Sequence, residues 1–223
     1  MSEDNAPAII AAASGIAGVV LGSVLTSLKD WVAHRFKIKS SGRYAAVRLT
    51  SVLDDYAQKC VSVVYDDGTS EGRPAGRTEQ GEEYYCPQIT SPAPPSFPED
   101  IDWRSIPFKL MYRILALPNS ARDTDRFITH SADISFPPDY DEFFSARQEG
   151  YAHLGLEALN LVSDLRKEFD FPDMPAKFWD WGWDAKKFLH EKLNDFQQRR
   201  KNSEAANAAI FAEMESARGA ANE

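Results

Sequence analysis

Few residues in this sequence have the types and spacing that catalysis requires. Residues 68–72 match GxSxG, the pattern of a nucleophilic serine held on a strained turn between a strand and a helix. The following residues, 72–81, contain three glycines and do not predict the helix that such a turn needs. The chain also lacks the alternating strand and helix patterns of a hydrolase sheet. The string therefore does not predict a catalytic serine.

A group of three potential metal ligands has helical spacing. Glu149, His153 and Glu157 recur every four residues and would share one face of a helix. A carboxylate-bridged di-iron bundle needs Glu-x-x-His pairs on separate helices, and none is present. No phosphate-binding loop or dinucleotide motif occurs either. These three residues indicate a solvated helix face, and the sequence predicts no catalytic residue, no metal site and no cofactor.

Two further groups are candidates without a defined chemistry. Carboxylates are clustered at Asp54, Asp55, Asp66 and Asp67, which would form an enzyme site only if the fold brought them together in a cleft. Trp179, Trp181 and Trp183 place three indoles at a spacing of two. Such a cluster is a candidate contact for a protein partner or for lipid headgroups. Its alternative role is to close the open end of a helical bundle.

The most informative element is a run of 21 uncharged residues at positions 8–28. As a helix it would be roughly 30 Å long, which matches the hydrocarbon core of a bilayer. The acidic residues before it do not resemble the start of a secretory signal peptide. We therefore expect a single transmembrane helix at 8–28, after a short tail at 1–7. The alternative is a helix buried in a soluble core or an oligomer.

Small residues form a stripe on that helix. Ser14, Gly18, Gly22 and Thr26 recur every four positions, as in motifs where two membrane helices approach closely. The stripe predicts self-association or pairing with another membrane helix.

Charge predicts the orientation of the chain. Residues 29–48 contain six basic residues and one acidic residue, which suits a juxtamembrane segment attracted to anionic lipid. The positive-inside rule places the bulk of the chain in the cytosol and the N-terminus outside. The whole chain carries −9, and residues 49–223 carry −12. This excess of acidic residues excludes general binding to nucleic acid.

The remainder predicts an all-α fold. Apolar residues at helical spacing predict a helix from 49 to about 64, with Cys60 on its buried face. A Gly- and Pro-rich loop follows at 66–105, and Cys86 lies within it. The next helix starts near 106, should break or kink at Pro118, and should restart with a cap at Ser120. A long helix is expected at 139–169, and a last one after Asp184 completes a helical domain at 49–198. An Ala-rich polar tail occupies 199–223.

These features favour a membrane-anchored, non-enzymatic interaction or regulatory module with an unidentified protein partner. One alternative is an oligomeric effector that forms a pore or leak through the small-residue helix. Another is a membrane-bound enzyme that uses the clustered carboxylates.

Overall fold

The computed structural model describes residues 6–136, 140–172 and 184–220. Within the helices, the side chains at 6–27, 30, 32–38, 212–213 and 215–220 are outside this description. The described chain is mostly helical and forms a bundle, as the sequence predicts. Its four α-helices are α1 (Ala6–Tyr65), α2 (Phe108–Ile134), α3 (Asp141–Glu168) and α4 (Ala185–Ala220).

The first helix, α1, is continuous over 60 residues, which gives a length of roughly 90 Å. It joins the uncharged run, the basic segment and the helix predicted to start at residue 49 without a break. Its contribution to the buried core begins at Ala45 and continues to Val64. The uncharged run and the part of α1 that packs in the bundle therefore belong to one continuous helix.

The predicted membrane span at 8–28 lies in α1 almost entirely among the residues whose side chains are outside the description. Within the described part of the chain, no helix has a stretch that is both long enough and apolar enough to traverse a bilayer.

Helix α3 is the centre of the bundle and packs against the other three helices. It runs antiparallel to α1, because Gly42 lies against Phe169 at one end and Asp66 pairs with Arg147 at the other. Aliphatic side chains fill the interface between the two helices. The fully buried ones include Leu49, Leu53, Val63, Leu161 and Leu165. Each such side chain contributes about 1.5–3 kcal/mol when it leaves water.

Helix α2 corrects the prediction of a break at Pro118, because the helix runs through this residue. Buried residues on both sides of it, Leu117 and Ala121, hold α2 against α3. Proline removes one helical hydrogen bond and crowds the preceding turn. Packing against α3 outweighs this local cost.

The connection at 66–105 is long but contains secondary structure. Two antiparallel hairpins form from β1 (Thr69–Ser70) with β2 (Arg73–Pro74), and from β3 (Gly76–Arg77) with β4 (Glu83–Tyr84). A 3₁₀-helix, Trp103–Ser105, precedes α2. Ile101 and Ile106 on either side of it are buried in the core, so the end of the connection is tied to the bundle.

Helix α4 begins at the predicted cap. The Asp184 carboxylate accepts hydrogen bonds from the backbone N–H groups of Lys186 and Lys187, at 2.8 and 3.2 Å. Leu189, Leu193 and Phe196 are its buried apolar residues. Every residue from 197 to 211 is exposed, although the backbone stays helical to Ala220.

Candidate functional site

Among the described residues, the polar site with the most hydrogen bonds is a buried ion pair at the end of α1. Asp66 and Arg147 lie 81 positions apart in sequence, and their side chains are 1% and 2% exposed. Arg147 Nη1 donates to Asp66 Oδ2 at 2.9 Å, and Arg147 Nη2 donates to the carbonyl of Ile89. The next residue of α3, Gln148, donates from Nε2 to the Asp66 carbonyl at 2.9 Å. The pair thus joins α1, the long connection and α3.

Both oxygens of Asp66 are occupied. Oδ1 accepts from the backbone N–H of Gly68 at 3.1 Å. Oδ2 accepts from the N–H groups of Gln88 and Ile89 at 3.0 and 2.9 Å, in addition to Arg147. Burial acts to raise the pKa of Asp66, but these backbone donors and the Arg147 charge outweigh it and lower the pKa below its ordinary value of 3.8. The carboxylate is therefore charged and satisfied.

Gly68 fixes the direction of the chain as it leaves Asp66. Its φ of +81° lies in the left-handed region, and a Cβ built there would approach the Phe144 ring to 2.3 Å. The Gly68 carbonyl accepts from Cys86 N at 3.2 Å, which closes the connection on itself. The backbone after Ser70 turns into a hairpin instead of a helix, so GxSxG is not a nucleophile elbow here.

Two of the other clustered carboxylates, Asp67 and Asp55, are each bound to a local partner of their own. Asp67 Oδ1 accepts from the N–H and hydroxyl of Thr69 at 2.9 and 2.7 Å, which makes a local turn. Asp55 pairs with Lys59 on the exposed side of α1, at 2.7 Å. In the part of the chain that the structure describes, no group of three His, Cys, Asp or Glu side chains is placed to hold a metal ion. The geometry gives no support to a carboxylate enzyme site.

The α3 face that carries Glu149, His153 and Glu157 was expected to be solvated, but two of its residues form ion pairs with other helices. Glu149 receives both terminal nitrogens of Arg200 from α4, at 2.6 and 2.8 Å. Glu157 pairs with Arg113 from α2 at 2.9 Å, and Asp164 binds the same guanidinium at 2.6 Å. His153 lies 3.9 Å from Glu149 on the exposed side. Sequence spacing identifies a shared helix face but not the partners across it.

Both cysteines lie where the sequence predicts them, Cys60 on the buried face of α1 and Cys86 in the long connection. Cys60 is fully buried in the core, and burial raises the pKa of its thiol to about 12. Cys86 is half-buried in the connection, and both thiols are free. Near Cys60, the Tyr151 hydroxyl donates to Asp125 at 2.6 Å and links α3 to α2.

An apolar surface on α2 was missed by the sequence analysis. Phe108, Tyr112 and Leu115 follow helical spacing and form one stripe, and they are 72%, 66% and 45% exposed. We name these three residues the α2 stripe. It adjoins a groove of about 510 Å³ between α2 and α3, whose apolar lining includes Leu154 and Leu156. Helical periodicity shows which residues share a face, but it does not show whether another element covers that face.

The remaining predicted site residues are outside the described side chains. These are the association stripe at Ser14, Gly18, Gly22 and Thr26, and the indole cluster at Trp179, Trp181 and Trp183.

Comparison of the chain with protein-family models, with curated proteins and with solved structures gives no match.

Proposed function

We propose that the protein is a non-enzymatic interaction module, tethered to a membrane by residues 8–28 and presenting its helical bundle to the cytosol. The observation that carries the proposal is the continuity of α1 from Ala6 to Tyr65. One end of this helix is the uncharged run, and the other end is buried in the bundle. A tether of this kind couples membrane position directly to the folded domain.

Side chains at the end of the uncharged run and just after it support the tether. Leu28 and Trp31 are each 56% exposed, as expected for residues at the level of lipid headgroups. Lys29, Lys39 and Arg43 are also exposed. Each such charge is attracted to an anionic leaflet by about 1 kcal/mol when it lies near the surface.

The site chemistry supports interaction over catalysis. Among the described side chains, Asp66 is the most buried carboxylate, and all its contacts join α1, the connection and α3, as do those of its partner Arg147. The exposed residues of the bundle include an apolar stripe beside a groove, a combination that occurs at docking surfaces.

The test is alkaline carbonate extraction of the expressed protein, followed by protease shaving of sealed vesicles of known orientation. The tethered protein stays in the membrane pellet, with the bundle on the cytosolic side. Val20→Arg places a charge in the middle of the run and should weaken insertion by about 3 kcal/mol, whereas Val20→Leu is the matched control. Release of the unaltered protein into the supernatant would overturn the proposal.

Self-association through the small-residue stripe is a separate part of the proposal. Gly18→Leu combined with Gly22→Leu should reduce cross-linking between chains in membranes, because larger side chains separate the two backbones. Unchanged cross-linking would exclude this stripe as the contact.

A further inference from the structure

A pocket of about 580 Å³ lies at the end of the bundle where α2 ends and α3 begins. The hairpin of β3 and β4 forms its other wall. The pocket is at the same end of the bundle as the Asp66–Arg147 pair, because Phe144 in its lining lies against Gly68. Its volume is in the range of sites that bind small molecules.

Aromatic rings dominate the lining of this pocket. Five of its eleven lining residues are aromatic, namely Tyr84, Tyr85, Tyr140, Phe143 and Phe144. An aromatic ring carries negative potential on its faces, so several rings around one pocket attract a positively charged group. Alkylated ammonium groups suit such a pocket, because their methyl groups contact the rings while the charge interacts with the ring electrons.

Contacts within the fold hold several of these rings in place. Phe143 and Phe144 pack edge to face, with ring centroids 5.2 Å apart. Tyr84 is paired with Gly76 across the hairpin, and a Cβ built on Gly76 would lie 2.6 Å from a ring carbon of Tyr84. The glycine therefore leaves room for the ring. Because the rings are already positioned, a ligand loses little affinity to ordering the pocket.

Carboxylates complete the lining. Glu82 and Glu83 line the pocket, whereas its described lining contains no lysine, arginine or histidine. Arg77 pairs with Glu83 at 2.7 Å, so Glu82 is the lining carboxylate without an ion-pair partner among the described residues. The backbone of Glu82 is fixed by Thr78, whose hydroxyl accepts from the Glu82 N–H at 3.2 Å and whose N–H donates to the Glu82 carbonyl at 2.8 Å. The pocket therefore attracts a cation and repels an anion.

We propose that this pocket binds a small organic cation with an alkylated ammonium group, of which choline is the simplest probe. The rings contact the methyl groups, and Glu82 balances the charge. A phosphate joined to the same group, as in a lipid headgroup, would lie beside the carboxylates and weaken binding. The proposal therefore favours a free cation, and it does not depend on the membrane tether.

The test is isothermal titration calorimetry on the full chain in maltoside micelles, which contain no choline group. Choline should bind saturably. Dimethylbutanol, the neutral isostere in which carbon replaces the nitrogen of choline, should bind about tenfold more weakly, because it has the shape without the charge. Equal affinities for the two compounds, or no saturable binding of choline, would overturn the proposal.

Two matched pairs of variants locate the site. Glu82→Gln should weaken choline binding about fivefold, whereas Glu79→Gln, in the same turn but outside the lining, should leave it unchanged. Tyr84→Leu removes an aromatic ring and should also weaken binding about fivefold. Its control is Tyr44→Leu, since Tyr44 is 63% exposed and lies near the start of the buried part of α1. Circular dichroism checks folding, and equal affinities within either pair would place the cation elsewhere.

Larger compounds with the same ammonium group distinguish the sources of the ligand. Glycerophosphocholine should bind more weakly than choline, because its phosphate meets the carboxylates. A trimethyl-lysine peptide should gain no affinity over choline, since the rings and Glu82 contact only the ammonium end. Tighter binding of glycerophosphocholine would assign the pocket to a lipid headgroup, and tighter binding of the peptide would assign it to a protein partner. Either result would overturn the choice of a free cation.

Discussion

Arg147 and Arg113 show how burial changes the contribution of an ion pair to the free energy of unfolding. The ion pair with Asp66 is almost wholly removed from water, whereas Arg113, which also binds two carboxylates, is 37% exposed. Loss of one partner from a buried pair leaves the other charge without compensation, which costs about 3–5 kcal/mol. The same loss near the surface costs about 1 kcal/mol or less, because water replaces the partner.

The matched substitutions are Arg147→Met and Arg113→Met. We expect Arg147→Met to lower the free energy of unfolding by about 3 kcal/mol, since Asp66 keeps its backbone donors. Arg113→Met should lower it by about 1 kcal/mol. Urea unfolding followed by circular dichroism measures both values. Equal losses would show that the Asp66 site is open to water.

Asp66 also makes stability depend on pH. Its pKa is lower in the folded protein than its ordinary value of 3.8, so its contribution to stability is complete above that pH and is lost as the pH falls through the folded pKa. Asp66→Asn removes this dependence. The stability difference between wild type and Asp66→Asn should be constant near neutral pH and should narrow below pH 3.8. Urea midpoints across this range test the prediction, and a difference independent of pH would contradict it.

Helix α2 contains Pro118 in its interior, where proline is unfavourable. Pro118→Ala restores one helical hydrogen bond and removes the crowding of the preceding turn, although alanine also gives the unfolded chain more freedom. We expect the free energy of unfolding to rise by about 2 kcal/mol. The neighbouring substitution Ser120→Ala is the control and should change stability by less than about 0.5 kcal/mol. A loss of stability in Pro118→Ala would mean that core packing depends on the shape that proline imposes.

Elements and contacts differ in how far the sequence predicts them. Apolar spacing predicts α3 and the C-terminal part of α1, and the Asp184 cap predicts where α4 starts, because these signals act between neighbouring residues. The predicted break at Pro118 was wrong, because packing against α3 overrides the local preference of proline. The Asp66–Arg147 pair was not predicted, since nothing local links residues 81 positions apart.

Under the tether proposal, the length of α1 between residue 28 and Ala45 sets the distance between the membrane and the bundle. About 17 residues separate the end of the uncharged run from Ala45, which corresponds to roughly 25 Å of helix. Seven helix-forming residues inserted between 32 and 38 should raise the bundle by about 10 Å and return it close to its original facing. A single inserted residue should rotate it by about 100°.

Energy transfer from a label on Cys86 to acceptors in the membrane measures this height. The seven-residue helical insertion should lower the transfer efficiency to a value set by the extra length. A seven-residue Gly/Ser insertion is the control, because it makes the joint flexible and gives a broad range of distances. The same result for both insertions would show that α1 does not act as a rigid joint.

Hydrogen bonds of Asp66 hold the two ends of the hairpin segment of the connection together, at residue 66 and at residues 88–89. Asp66 binds the backbone at Gln88 and Ile89, so the chain returns to its starting point before it continues to α2. The two hairpins lie in the segment between Asp66 and Gln88, and Arg73 and Arg77 in this segment are exposed. A cut there would separate α1 from the other helices in sequence but not in space. The protein could then be made as two polypeptides that recognise each other and reassemble, with Asp66 on the first fragment and Arg147 on the second.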